Sequence, residues 1–93
     1  MENKKGNTEI QIELSEETAQ GTYANLAIIA HSSSEFILDF IRLVPGVPKA
    51  KVQSRIILTP ENAKRLLYAL QDNLTRFEEQ FGTVQTEHPQ GFI

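Results

Sequence analysis

The 93-residue chain contains no cysteine, so it can form neither a disulfide nor a thiolate metal site, and this fits a reducing cytoplasm. It also lacks any run of the roughly 18 apolar residues that a membrane helix requires. The positive charges near its start, "MENKKGN", are followed by no apolar stretch, so we expect no signal peptide. These absences favour a cytoplasmic domain that does not bind a membrane.

An excess of positive charge is missing too. Nine Lys and Arg residues stand against twelve Asp and Glu, which gives a formal net charge of −3 and a pI near 5.3. The basic residues are scattered and form no stripe along the sequence. Because nucleic-acid affinity depends on neutralising several phosphates, we expect no nucleic-acid partner.

The number of hydrophobic residues limits the size of the core. They make up 40% of the chain, which is enough for one thin core in a domain of this length. Small domains of this kind often gain stability by assembling, so an oligomer is expected.

Alternating and apolar segments separated by turn signals predict the strands. "TEIQIEL" alternates apolar and polar residues, and "SSS" and "VPGVPKA" are typical turn and loop sequences. We expect four strands, at residues 8–14, 22–31, 35–43 and 51–58.

One long helix follows the strands. Thr59 is a suitable N-cap, Pro60 suits the first helical position and Gly82 is placed to end the helix. An apolar stripe repeats at three- and four-residue spacing through Ala63, Leu66, Leu67, Leu70, Leu74, Phe77 and Phe81. The pattern predicts a helix from Pro60 to Phe81.

The order of these elements predicts an α+β fold. It is a four-stranded antiparallel sheet, arranged as a meander, with one long C-terminal helix packed on one face. We expect residues 8–82 to form a single domain, residues 1–7 a disordered tail and residues 83–93 an irregular tail.

The turns also predict a strand register. Centring the serine turn on Ser33 and the Pro-Gly loop on Val47 pairs apolar residues with each other. The expected pairs are Ala30 with Phe36, Ile28 with Leu38, Leu26 with Phe40, Phe36 with Leu58, Leu38 with Ile56, Ile10 with Leu26 and Ile12 with Ala24. These residues, with Val52, would form the helix-side face, meaning the sheet face beneath the helix.

The other sheet face, here called the open face, mixes isoleucines with polar residues. Exposed apolar patches with polar margins often mark protein contacts. We therefore expect an interface at Tyr23, Asn25, Ile29, Ile37, Asp39, Ile41, Gln53, Arg55 and Ile57.

Glu35 and Asp39 form the only suggestive carboxylate pair. Four residues along a strand span about 13 Å, beyond the roughly 5–9.5 Å between catalytic carboxyls of glycosidases. The register instead places Asp39 opposite Arg55, and a cross-strand ion pair of this kind contributes about 0.2–1 kcal/mol. We expect no catalytic residue here.

A metal or cofactor site is not expected either. His31 and Glu35 flank the serine turn, but no third donor accompanies them, and a catalytic zinc site needs three protein ligands. His88 lies in the expected C-terminal tail. The sequence predicts no metal, no cofactor and no enzymatic activity.

Several short motifs together resemble a family of small bacterial and archaeal proteins known as domain of unknown function 3467. They are Tyr23-Ala24-Asn25, Ser34-Glu35-Phe36 with Asp39-Phe40, Pro45-Gly46, the stretch Val52–Arg55, Thr59-Pro60 and Phe81-Gly82. The resemblance covers roughly residues 8–82 and implies no activity. The order of four strands and a helix is also similar to the SecB export chaperones, in topology only.

Two functions from different classes follow. The first is a non-enzymatic protein-interaction module, a homodimer or higher oligomer that uses the open face. The alternative is a SecB-like chaperone that binds unfolded polypeptide on exposed apolar surface. An enzyme or nucleotide-binding protein would instead need a deep polar pocket with at least three convergent titratable groups.

Overall fold

The computed structural model describes residues 9–86. Its elements are helix α1 (Glu16–Ala19), strands β1 (Leu26–His31), β2 (Phe36–Arg42) and β3 (Lys51–Leu58), and helix α2 (Pro60–Phe81). The tail expected at residues 1–7, and most of the one expected at 83–93, lie outside the described residues. Residues 82–86 belong to neither a helix nor a strand.

The strands form a three-stranded antiparallel sheet in the order β1-β2-β3. The predicted α+β class, the meander and the C-terminal helix are confirmed. Helix α2 begins and ends where the sequence predicts. The Oγ1 of Thr59 accepts a hydrogen bond from the backbone N–H of Asn62, and Gly82 follows the helix with a φ of 96°.

The predicted first strand is not a strand. Residues 9–14 pair with no other segment in the described part of the chain, and Ile10, Ile12 and Leu14 are 86%, 90% and 68% exposed. The expected pairs of Ile10 with Leu26 and Ile12 with Ala24 are therefore wrong. The reason lies in the connection, because α1 replaces the hairpin turn that would have returned this segment along β1.

The predicted register between β1 and β2 is wrong by one residue. Ile29 lies opposite Leu38, Ala27 opposite Phe40 and His31 opposite Phe36. The turn is centred between Ser33 and Ser34, because the Ser32 hydroxyl accepts hydrogen bonds from the N–H groups of Ser34 and Glu35.

The predicted register between β2 and β3 is confirmed over most of its length. Phe36 lies opposite Leu58, Leu38 opposite Ile56 and Asp39 opposite Arg55. Beyond Phe40 a β-bulge at Gln53 shifts the pairing, so that Val52 lies opposite Ile41. Val52 thus belongs to the open face, contrary to the prediction.

The corrected register redefines both faces, because directly opposed residues point to the same side of a sheet. The helix-side face carries three rows across β1, β2 and β3: His31–Phe36–Leu58, Ile29–Leu38–Ile56 and Ala27–Phe40–Ser54. The open face carries Ala30–Ile37–Ile57, Ile28–Asp39–Arg55 and Leu26–Ile41–Val52. Ile29 is therefore on the helix side and was wrongly assigned to the open face, where Ile28 takes its place.

Helix α2 covers the sheet only in part. It approaches the sheet mainly along β3, at one edge. No residue of α2 is buried, and the only buried hydrophobic residues in the described part of the chain are Ala27, Leu38 and Ile41. The helix thus packs on the predicted face, where Ala27 and Leu38 are buried, but leaves Ile29, Ile56 and most of its own stripe exposed.

A side-chain bridge holds the start of β1 to the end of β2. The amide of Asn25 donates to the carbonyl of Leu43 at 3.1 Å, and its oxygen accepts the Leu43 N–H at 2.7 Å. The Asn25 N–H also donates to the carbonyl of Ile41 at 3.0 Å. The side chain of Asn25 therefore acts as an extra step of the β1–β2 ladder.

Replacing this bridge should destabilise the sheet. We expect Asn25→Ala to lower the free energy of unfolding by about 1–2 kcal/mol, because two hydrogen bonds to backbone groups are lost. Urea unfolding at fixed protein concentration measures the change. Asn73→Ala is the matched control, since Asn73 bonds only the carbonyl of Ala69 on the exposed surface of α2. Equal stability of the two variants would contradict a bridging role for Asn25.

Candidate functional site

An apolar groove separates α2 from the uncovered part of the helix-side face. Its volume is about 370 Å³. The sheet contributes Ala27, Ile29, Phe36, Leu38, Phe40 and Leu58, and the helix contributes Ala63, Leu66, Leu67 and Leu70. Every lining side chain is apolar, so the groove offers no titratable group for catalysis and no polar group to orient a small ligand.

The apolar stripe of α2 continues past the groove. Leu74, Phe77 and Phe81 are 44%, 47% and 66% exposed, and the rings of Phe77 and Phe81 lie 4.9 Å apart. The surface around them is built from α2 residues alone. The stripe thus offers a continuous hydrophobic surface from the groove to the end of the helix.

The open face is a second, more mixed surface. Ile28 and Ile57 are 41% and 54% exposed, and Ile37 between them is half-buried. Ile41 is only 6% exposed, so the chain itself already covers it. This face therefore keeps an exposed apolar patch, although one expected member cannot contact a partner.

An ion pair lies at the centre of the open face. The Nε of Arg55 donates to Oδ1 of Asp39 at 2.7 Å and its Nη2 donates to Oδ2 at 2.8 Å. The Asp39 side chain is 16% exposed and that of Arg55 is 59% exposed. The geometry is bidentate, which fixes the guanidinium more firmly than a single contact would.

This geometry shifts the titration of both groups. The hydrogen bonds from Arg55 lower the pKa of Asp39, partial burial opposes the shift, and the guanidinium charge adds to the lowering. The hydrogen bonds to Asp39, followed by its charge, raise the pKa of Arg55. Both groups therefore stay charged over the physiological range.

The remaining residues of the expected interface are not placed on the open face by the register. Tyr23 and Asn25 precede β1; Tyr23 is 69% exposed, and the side chain of Asn25 is bonded to Leu43. Gln53 occupies the bulge, where its amide donates to the carbonyl of Lys51 at 3.4 Å. Ile28 and Val52 are open-face residues that were not predicted from the sequence. The signal that could have corrected the predicted β1 register is the Ser32 hydroxyl, which can accept hydrogen bonds from the backbone of the turn.

Glu35 and His31, the other residues considered for catalysis or metal binding, lie at the serine turn. Glu35 precedes β2 in the serine turn, and the ring of His31 stacks on that of Phe36 at 5.3 Å. Among residues 9–86, no three His, Asp or Glu side chains are grouped as metal ligands. Within the same residues, no helix combines the length and hydrophobicity needed to span a bilayer.

The Asp39–Arg55 pair should make stability depend on acid pH. Because folding lowers the pKa of Asp39 from an unfolded value near 3.9, its contribution is present above about pH 4 and is lost as pH falls through the folded value. We expect Asp39→Asn to lower the free energy of unfolding at pH 7 and to flatten its decline below pH 4. Denaturant unfolding between pH 2 and 7 measures both effects.

Glu61→Gln is the matched control for this prediction. Glu61 pairs with Arg65 along α2, but both side chains are largely exposed, at 74% and 66%. Exposed pairs contribute little, so the control should change the pH profile much less. Identical profiles for the two variants would contradict a special role for the open-face pair.

Comparison with known proteins places the chain in a family. The family model described as "Protein of unknown function (DUF3467)" matches residues 1–86, which confirms the resemblance seen in the short motifs. No curated protein and no solved structure matches the chain. Because the match spans nearly all of its 93 residues, the chain belongs to DUF3467, a family of proteins of unknown function.

Proposed function

We propose that this protein is a non-enzymatic, cytoplasmic protein-interaction module that works as a homo-oligomer. The observation that carries the proposal is the uncovered stripe of α2. Its large side chains are between 44% and 66% exposed: Leu66, Leu67, Leu70, Leu74, Phe77 and Phe81. The groove beside them is lined by Ile29 of the helix-side face, which is 47% exposed.

The uncovered area is large enough for a stable contact. The two Phe side chains each expose on the order of 100 Å², since aromatic side chains bury roughly 150–250 Å² when fully covered, and the four smaller Leu side chains expose somewhat less. One chain thus offers about 500 Å² from the stripe alone, and two chains together offer about the 1,000 Å² that a specific interface requires.

A second copy is the occupant that fits best. The stripe and the groove are both apolar and belong to one chain, so the stripe of each copy can cover the groove of the other about a two-fold axis. The groove lining and the stripe itself carry no charge, and the charged side chain beside the stripe is Arg76, so the acidic residues behind the net charge of −3 lie outside this surface. The match between the two apolar surfaces supports a homodimer as the basic unit.

The open face is the proposed second contact surface. In a dimer joined through the helix side, Ile28, Ile37 and Ile57 remain outside with the Asp39–Arg55 pair between them. A bidentate ion pair amid aliphatic side chains fixes the orientation of whatever packs on it. This surface supports either a higher oligomer or the binding of another protein.

The groove also favours a second candidate function, that of a SecB-like chaperone. Its wholly apolar lining accepts hydrophobic side chains of an unfolded polypeptide without selecting a sequence. The two functions differ in what fills the groove, a second copy or a client. Suppression of the aggregation of an unfolded client at stoichiometric ratio would support the chaperone function. If the protein has no effect on aggregation, the interaction module is the function that stands.

A charge in the stripe should disrupt assembly. We expect the wild-type chain to sediment as a dimer or larger species at micromolar concentration, and Leu70→Lys to raise the dissociation constant at least tenfold. The reason is that Leu70 belongs to both the groove and the stripe, so a buried ammonium would lose its hydration. Sedimentation equilibrium over a concentration series measures the constant.

Thr75→Lys is the matched control, because it adds the same charge at an exposed position of α2 that lies three or four residues from no member of the stripe. It should leave the dissociation constant within about twofold of the wild-type value. Leu74→Ala serves as a milder second variant, should Leu70→Lys unfold the chain, and should weaken association as well. A wild-type chain that is monomeric throughout the series would refute the proposed assembly.

A further inference from the structure

We propose that residues 9–14 of one chain add as a fourth strand to the β1 edge of a second copy; this rests on the homo-oligomer proposed above. The segment "EIQIEL" alternates strictly, with Ile10, Ile12 and Leu14 on one side and Glu9, Gln11 and Glu13 on the other. Such alternation is typical of a strand with one buried face. Yet its three apolar side chains are 68% to 90% exposed, so the single chain gives them no cover.

The β3 edge of the sheet is a poor acceptor for this segment. The bulge at Gln53 interrupts its regular spacing, and α2 lies along the same strand. Lys51 and Arg55 add charged side chains, which natural edge strands use to discourage further pairing.

The β1 edge has none of these protections. Its six residues, "LAIIAH", contain no proline, no lysine and no arginine, and their pairing with β2 shows no bulge. They equal residues 9–14 in number, so the two segments can pair along their whole length. An exposed apolar edge of this kind is a template for strand addition.

Strand addition at β1 would also complete the groove. The groove is bounded on one side by α2 near β3, and it is lined toward β1 by Ala27 and Ile29. With Ile10, Ile12 and Leu14 on the helix-side face, their side chains would lie beside these two residues and extend the wall. Glu9, Gln11 and Glu13 would then point to the open face and to water.

The connection to β1 argues for a second copy rather than the chain's own edge. The Ser15 hydroxyl caps α1 by accepting the Thr18 N–H at 3.1 Å, and Gly21 leaves the helix with a φ of 80° and a bond to the Thr18 carbonyl at 3.0 Å. This defined turn leaves residues 9–14 unpaired within their own chain. The edge of another copy is therefore the partner that the sequence of the segment fits.

Methyl NMR on mixed oligomers tests the proposal. Chains with labelled Ile and Leu methyl groups are refolded together with chains labelled only at Ala methyl groups. We expect contacts from Ile12 of one chain to Ala27 of the other, and amide exchange in residues 9–14 at least tenfold slower than in an unpaired peptide. Contacts found only within one chain, or unprotected amides, would overturn strand exchange.

Two variants separate this proposal from the proposed function. Ile12→Glu should abolish the protection of residues 9–14 while the sedimentation mass stays oligomeric, because the α2 stripe is intact. Gln11→Glu changes a side chain on the other side of the segment. It should keep both the protection of residues 9–14 and the oligomeric mass. Equal protection in the two variants would overturn the strand proposal alone, whereas a monomeric wild-type chain would overturn both.

Discussion

The apolar stripe of α2 must be shielded from water, and one chain gives it too little to pack against. Fully burying a Leu or Phe side chain stabilises a protein by about 1.5–3 kcal/mol. In the single chain, roughly half of each large stripe side chain is still exposed to water. The helix backbone comes closest to the sheet at β3, and an apolar groove remains beside it. The proposed assembly with a second copy would meet this requirement.

In the proposed assembly, the two faces of the sheet would have different roles. The helix-side face is wholly apolar around the groove, which suits permanent burial but specifies little. The open face sets the Asp39–Arg55 pair among aliphatic rows, and this arrangement favours orientation over raw affinity. In the proposed assembly, the helix-side face would build the oligomer and the open face would select a partner.

The elements that were predictable from sequence are those with a local signal. Thr59, Pro60 and Gly82 mark the ends of α2, and the lone Asp39 and Arg55 mark the register of β2 against β3. The hydrophobic pattern did not determine the register of β1, because "LAIIA" is apolar on both faces and a slip of one residue leaves both faces apolar. Amphipathicity likewise shows that the α2 stripe is to be buried but not which chain buries it.

The most direct test is the solvent accessibility of the stripe in solution. Hydroxyl-radical footprinting can follow Phe77 on the stripe and Tyr68, which lies off the stripe and is 54% exposed, in the same helix. The account predicts that Phe77 is protected at high protein concentration and becomes reactive on dilution, while Tyr68 reacts alike throughout. Phe77 reacting at a constant, exposed rate across the whole concentration range would contradict it.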